Sequence, residues 1–148
     1  MTLLVVALLT LANSILGAVV SLQRGEGVGW LGIDTGLSTS GDFLYGLGTS
    51  IAPPLWFLVL FVAAMWASAT RAGGARRLGV WALTLAGFAI LIGTLGEPLT
   101  YGALSLSGLW SAEFFVVVIN LALGLALAVL GVRTLVSERV APKNENVF

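Results

Sequence analysis

The sequence predicts an all-α integral membrane protein whose four transmembrane helices form a compact antiparallel bundle. Three observations predict it: 58% of the 148 residues are hydrophobic, only 9% are charged, and the apolar residues collect into four long stretches. Soluble domains carry about 25% charged residues, so this chain has too little charge to cover its surface in water. Because the apolar runs are continuous, they favour helices over the alternating pattern of membrane β-strands.

Four stretches are long enough for the roughly 30 Å hydrocarbon core, which a helix of about 20 residues crosses. They cover residues 2–22, about 51–70, 78–96 and about 114–132 of a single domain, and residues 137–148 form a short tail. Pro53 and Pro54 fall in the expected first turn of the second span, where missing N–H groups cost little. A cleaved signal peptide is the alternative for the first span, but no Lys or Arg precedes its apolar run.

Charge asymmetry orients the predicted bundle. Six of the seven basic residues and two of the seven acidic ones lie between spans two and three or after span four. The opposite side carries one basic and five acidic residues, so the two sides have net charges of +4 and −4. The positive-inside rule then places both termini in the cytoplasm. We expect a plasma-membrane protein in which Arg71, Arg76 and Arg77 contact anionic lipid headgroups.

The connection between spans one and two is a long outer loop rich in glycine. It carries eight glycines between Gln23 and Ser50. A loop of this length is either a flexible connector or a segment folded over the outer mouth, and both alternatives stay open at this stage.

Small residues recur at helical spacing in the spans, where they let helices approach closely in lipid. The third span has such a stripe leading to Glu97, and the fourth has one that includes Asn120. The residues expected to face the bundle interior are Asn13, Gly17, Ser21, Ala63, Ala67, Ala82, Ala86, Ala89, Gly93, Val117, Asn120, Gly124, Ala128 and Gly131.

Asn13 and Asn120 are the uncharged polar candidates within the spans. Both lie about 10–14 Å below the expected outer ends of their helices, so their amides could hydrogen-bond at one level. They serve either as interhelical hydrogen bonds worth about 0.6–2 kcal/mol or as the lining of a transport path.

Glu97 and Glu113 are the acidic candidates, expected at similar depth near the outer mouth. Glu113 begins the fourth span, where the positive end of the helix dipole favours a carboxylate. Glu97 ends the third span, where the dipole is unfavourable, so it must face water, pair with a cation such as Arg24, take a proton or bind a ligand. Tyr101 follows closely and is a further candidate.

The absence of certain residue types and motifs from the sequence disfavours several classes of function. The chain has no Cys and no His, which removes thiolate chemistry and the commonest general base and metal ligand. No phosphate-binding or dinucleotide motif occurs in a suitable context, so we expect no cofactor, no metal and no nucleic-acid partner.

Three functions remain as hypotheses. The first is a non-catalytic accessory or interaction subunit whose contact surface is the glycine-rich outer loop and the acidic mouth. Its partners would be membrane lipids and a homo-oligomer or larger membrane complex. The second is an oligomeric small channel or transporter, with Asn13 and Asn120 along the path and Glu97 and Glu113 concentrating cations at the mouth. The third is a lipid-substrate enzyme that uses the paired glutamates, with Tyr101, as acid and base.

Overall fold

The computed structural model describes residues 2–25, 33, 35–71 and 73–140, and the regular secondary structure of this part of the chain is helical, with one isolated bridge between Thr49 and Ala52. Three helices are long and apolar enough to cross a membrane, which indicates a membrane protein. The helices are α1 (Thr2–Arg24), α2 (Thr39–Leu44), α3 (Leu55–Ala69), α4 (Gly73–Gly96), α5 (Pro98–Ala103) and α6 (Ala112–Val140).

The long helices extend beyond the predicted apolar stretches at their charged ends. Helix α4 begins at Gly73, so Arg76 and Arg77 lie in the helix and not in a linker. Helix α6 runs on through Arg133 to Val140, into the predicted tail. Arginine and glutamate are good helix formers, so backbone hydrogen bonding continues where the apolar pattern stops. The tail residues 141–148 lie outside the described residues.

Helix α3 is shorter than its predicted stretch, with 15 residues beginning at Leu55. The placement of Pro53 and Pro54 in its first turn was wrong. Pro54 caps the helix in an extended conformation, with φ −66° and ψ 157°. Because a proline also forces the preceding residue out of the helical region, Pro53 cannot begin the helix. Residues 49–52 form a turn that leads into this extended pair.

The four longer helices pack in the order α3, α4, α6, α1, and contact between α1 and α3 is much smaller. Neighbours in this order are antiparallel. In the α4–α6 pair a Cβ atom on Gly87 would stand 2.7 Å from the Ala128 nitrogen, and one on Gly124 would stand 3.2 Å from Leu91. Glycine at these positions therefore lets the two backbones meet. Gly124 belongs to the predicted small-residue stripe of the fourth span, whereas Gly87 was not among the residues expected to face inward.

The bundle has two chemically different ends. We call the end that carries Arg24, Glu97 and Glu113 the acidic end, and the end that carries Arg71 and Arg76 the arginine end. Both short helices lie in predicted loops at the acidic end. The hydroxyl of Ser38 caps α2 by accepting a hydrogen bond from the Gly41 nitrogen (3.2 Å), and Pro98 begins α5 directly after Glu97. Residues 26–32 and 34 of the glycine-rich loop lie outside the described residues.

The interior faces follow the predicted small-residue pattern on two helices and depart from it on the other two. All the residues expected to face inward on α1 and α6 are buried, which confirms that part of the prediction. On α3, Ala63 is exposed and Ala67 is half-buried. On α4, Ala82 and Ala89 are only half-buried, because both line a cavity, although Ala82 also packs against the apolar core.

Candidate functional site

Asn13 and Asn120 meet in the interior between α1 and α6. The Asn13 amide donates to the Asn120 side-chain oxygen (2.7 Å) and to the Val116 carbonyl (3.2 Å). The Asn120 amide donates in turn to the Ile51 carbonyl (3.3 Å). Both asparagines are buried, so the expected hydrogen bond between the two amides is present. Their donors are used within the protein, which favours a structural role over a transport path.

This network holds the extended segment before α3 inside the bundle. Asn120 lies eight residues into α6, which places the Ile51 carbonyl about 12 Å below the acidic end of that helix. Thr49 adds a further bond, since its hydroxyl accepts from the Ala52 nitrogen (3.2 Å). Irregular backbone at membrane depth is tolerated where protein groups satisfy its polar atoms, and here Asn120 and Thr49 do so.

Glu113 lies in the first turn of α6 and forms an ion pair with Arg24 at the end of α1. The Glu113 side chain is 11% exposed, while that of Arg24 is 49% exposed. The sequence offers Arg24 as a cation for Glu97, but the ion pair that Arg24 forms is with Glu113. This ion pair joins α1 to α6 at a level nearer the acidic end than the asparagine network.

Glu97 directly precedes α5 and Tyr101 lies within it, and their surroundings differ sharply. Glu97 is 1% exposed, so simple solvation at the headgroup level does not describe it. Tyr101 is 64% exposed, and its hydroxyl donates to the Leu95 carbonyl (2.8 Å). Beside them the Thr100 hydroxyl donates to the Thr94 carbonyl (2.5 Å), so side chains of α5 satisfy the last carbonyls of α4.

The three arginines proposed to contact lipid headgroups lie exposed at the arginine end. Arg71 follows α3, and Arg76 and Arg77 lie near the start of α4. Arg76 also pairs with Glu138 of α6 (3.2 Å), with side chains 49% and 27% exposed. A partly exposed ion pair of this kind leaves the guanidinium accessible to a second anionic group.

The centre of the bundle is closed by packed side chains. Ala7, Leu83 and Leu127, from three different helices, each have 0% exposure and share one apolar core with Phe61 of α3. Packed apolar side chains therefore occupy the middle of the described bundle.

A cavity of about 550 Å³ lies between α3 and α4 in the half of the bundle nearer the acidic end. We call it the α3–α4 groove. Its walls are apolar and include Trp56, Phe57, Leu60, Leu85, Ala89 and Gly93. A second cavity of about 500 Å³ lies between α1 and α3, and its described lining has no polar side chain.

The acidic end of the α3–α4 groove carries hydroxyl groups that the sequence analysis did not single out. Thr49, Ser50 and Thr100 line it and are buried, and Thr94 lines it and is half-buried. The Ser50 hydroxyl has no hydrogen-bond partner among the described residues. Pro53 and Pro54 signal a helix start, but no local signal in the sequence shows that the turn before them folds back against α6.

Among the described residues no group of three or more His, Cys, Asp or Glu side chains is placed to hold a metal ion. Comparison of the chain with protein-family models, curated proteins and solved structures finds no match.

Proposed function

We propose that this protein is a four-span, non-catalytic membrane protein of the plasma membrane that acts as an accessory or interaction subunit. In this proposal α3, together with the extended residues before it, forms the fourth span. The acidic end faces outward and the arginine end faces the cytoplasm, in line with the charge asymmetry. The polar groups of the interior are used largely in holding the bundle together, which supports a non-catalytic role.

The observation that carries the proposal is an exposed apolar segment at the acidic end, residues 104–110. Leu106 is 91% exposed and Trp110 is 81% exposed. Trp110 has a φ of 71°, which is rare for a bulky residue and is retained where surrounding structure and function require it. Clusters of exposed apolar side chains mark interaction sites more often than isolated ones do.

Segment 104–110 is folded, although it belongs to no helix. Backbone hydrogen bonds join Leu104 to Thr100 (3.0 Å), Ser105 to Gly102 (3.2 Å) and Gly108 to Ser105 (3.0 Å). The Ser105 hydroxyl also donates to the Gly102 carbonyl (2.6 Å). An apolar surface that is already ordered loses little entropy when a partner binds, which suits an interaction subunit.

Native mass spectrometry of the protein released gently from its own membrane tests the proposal. We expect a defined complex with a different polypeptide, and we expect Leu106→Glu to abolish it. The matched control is Leu37→Glu, which changes an exposed leucine (47%) outside segment 104–110 and should leave the complex intact. A bare monomer from the wild type would refute the accessory role.

The proposed topology can be tested separately because the chain has no cysteine. Single cysteines replacing Ser105 and Ser137 report the two ends of the bundle. In intact cells a membrane-impermeant maleimide should label position 105, while position 137 should react only after lysis. The reverse pattern would show that the orientation is wrong.

An oligomeric channel or transporter is the second candidate, and the burial of both acidic residues favours it. Glu97 is 1% exposed and Glu113 is 9% exposed, and buried ionisable groups in membrane proteins commonly mark ion pathways. Since the centre of the bundle is packed, such a pathway would run between copies of the chain. Cation flux in liposomes that is unchanged by Glu97→Gln and Glu113→Gln would exclude an acidic mouth from the mechanism.

The lipid-substrate enzyme gains no support from the described geometry. Glu113 is engaged by Arg24, and the Tyr101 hydroxyl is bonded to a backbone carbonyl.

A further inference from the structure

The α3–α4 groove exists because the two helices meet closely at one end and separate toward the other. At the arginine end, Gly79 of α4 lies against the α3 backbone, where a Cβ atom would stand 2.7 Å from the Ala64 carbonyl oxygen. Helix α4 is also held along α6 through Gly87. Toward the acidic end, the small residues Ala89 and Gly93 face α3 without filling the space between the helices.

The groove opens sideways between the two helices. Leu60 of α3 and Leu85 of α4 line it, and each is 61% exposed, while Trp56 at the acidic end is 49% exposed. Phe61 and Ile90 lie at its base and are buried. In a bilayer an opening bounded by exposed leucines faces the hydrocarbon core, so the groove is accessible from the lipid.

The length of the groove matches one leaflet of a bilayer. The lining residues of α4 run from Ala82 to Thr94, which corresponds to about 18 Å of helix. Half of the hydrocarbon core is about 15 Å thick. The volume of about 550 Å³ also lies within the roughly 300–1,000 Å³ range of small-molecule sites.

The polarity of the lining defines the class of occupant. None of the described residues that line the groove is charged, and the hydroxyl groups of the lining collect at the acidic end. Ser50 is 4% exposed there, with a hydroxyl that has no hydrogen-bond partner among the described residues. Buried hydroxyl groups normally have a hydrogen-bond partner. The Ser50 hydroxyl is therefore free to donate a hydrogen bond to an acceptor on a bound ligand.

From these observations we infer that the α3–α4 groove binds one acyl chain of a membrane lipid from the leaflet at the acidic end. The chain lies along Phe57, Leu60 and Ala89, and the Ser50 hydroxyl donates a hydrogen bond to the ester carbonyl at its head. The cavity between α1 and α3 has a similar volume, but no polar side chain among the described residues that line it is placed to hold a lipid head. This inference rests on the proposed fourth span, since α3 must lie in the bilayer, and it is independent of segment 104–110 and of the accessory role.

Photo-crosslinking in vesicles tests the site directly. The protein is reconstituted into phosphatidylcholine vesicles that contain a phosphatidylcholine with a diazirine on one acyl chain, and the labelled peptides are identified by mass spectrometry. We expect the strongest labelling on groove residues such as Phe57 and Leu60. Phe88 of α4 is 45% exposed and does not line the groove, so it reports ordinary contact with lipid.

Two groove variants, Ala89→Trp and Ser50→Ala, distinguish a lipid bound in the groove from ordinary contact between the protein and the bilayer. Ala89→Trp fills the groove and should remove the excess labelling, while the matched control Phe88→Trp on the same helix should leave it unchanged. Ser50→Ala should reduce the lipid retained by the detergent-released protein about fivefold, roughly the affinity that one hydrogen bond contributes.

Three results would overturn the inference. Labelling of Phe57 and Leu60 no stronger than that of Phe88 would show that the groove holds no preferred lipid. Retention of lipid unchanged in both Ala89→Trp and Ser50→Ala would place the lipid elsewhere. Crosslinks from Leu60 to a second copy of the chain, obtained with a photoreactive residue at that position, would show that a protein helix fills the groove. The folded state of each variant is checked by its elution as a monodisperse species.

Discussion

Helix α4 has two interfaces of opposite character, and they are formed by the same kind of residue. Toward α6, glycines at positions 87, 124 and 131 bring the backbones together along most of the helix. Toward α3, Gly79 makes an equally close contact, but Ala89 and Gly93 border open space. Small residues therefore permit close approach without enforcing it, and the direction of the neighbouring helix decides whether they form a contact or a cavity.

The difference between the α4–α6 and α4–α3 interfaces follows from the contacts that α6 and α3 make at the acidic end. Helix α6 is tied to α1 by the asparagine network and by the Arg24–Glu113 ion pair. Helix α3 begins only at Leu55, after an extended segment that the Asn120 amide holds against α6 through the Ile51 carbonyl. Ile51 of that segment shares an apolar cluster with Val116 and Val117 of α6, and the segment lines the groove between the start of α3 and α4.

The largest expected effect is on the α4–α6 interface. Gly87→Leu places a side chain where even a Cβ atom would lie 2.7 Å from the Ala128 nitrogen and 2.9 Å from the Gly124 oxygen. We expect a loss of about 3 kcal/mol or more in the free energy of unfolding, since the helices must separate. Unfolding in mixed micelles measures it. Gly74→Leu in the same helix is the control, because a Cβ there meets nothing within 4 Å.

A smaller effect is expected from Asn120→Leu, which removes the acceptor for Asn13 and the donor to the Ile51 carbonyl. Loss of these buried bonds should cost about 1–3 kcal/mol in unfolding free energy. A double-mutant cycle with Asn13→Leu should give a coupling of about 0.6–2 kcal/mol. Thr134→Val removes only a bond within α6. An equal cost for Thr134→Val and Asn120→Leu would contradict the role of the network.

The Arg24–Glu113 pair should contribute less, because the Arg24 side chain is 49% exposed. A cycle of Arg24→Gln and Glu113→Gln should give a coupling of about 0.2–1 kcal/mol. The coupling should fall as salt is added, since exposed charges are screened. The partly exposed Arg76–Glu138 pair at the arginine end should show the same salt dependence in its own double-mutant cycle. Coupling energies of both pairs that do not change with salt would contradict the view that these are weak, screened ion pairs.

The smallest expected effect is that of Ala89→Leu on the α3–α4 interface. Because the added atoms enter the groove, the unfolding free energy should change by no more than about 0.5 kcal/mol. Gly87→Leu lies two residues away on the same helix and provides the contrast. If both substitutions destabilised the protein to the same extent, the groove would be closed in solution.

Sequence patterns predicted the parts of this fold that depend on local composition. The apolar stretches located α1, α4 and α6, and the four-residue spacing of Asn13, Gly17 and Ser21 identified a buried face. The expectation that Asn13 and Asn120 meet was also correct, because depth along two helices can be counted from their ends.

The parts that depend on tertiary contacts were not predictable in the same way. Helices α2 and α5 are six residues long and lie in stretches without helical periodicity. The groove depends on the angle between α3 and α4, which a stripe of alanines does not specify. No sequence pattern indicated that Ser50 lines the groove, because its position depends on a turn that folds back beside α6.

The length of α3 has a consequence for how the chain crosses the bilayer. A helix of 15 residues spans about 22 Å, whereas α4 and α6, with 24 and 29 residues, exceed the roughly 30 Å thickness of the hydrocarbon core. In the four-span arrangement hydrophobic mismatch is avoided because the extended residues before Leu55 complete this crossing. The crossing at α6 would be helical throughout, whereas the one at α3 would be completed by irregular backbone that the bundle shields from the surrounding lipid.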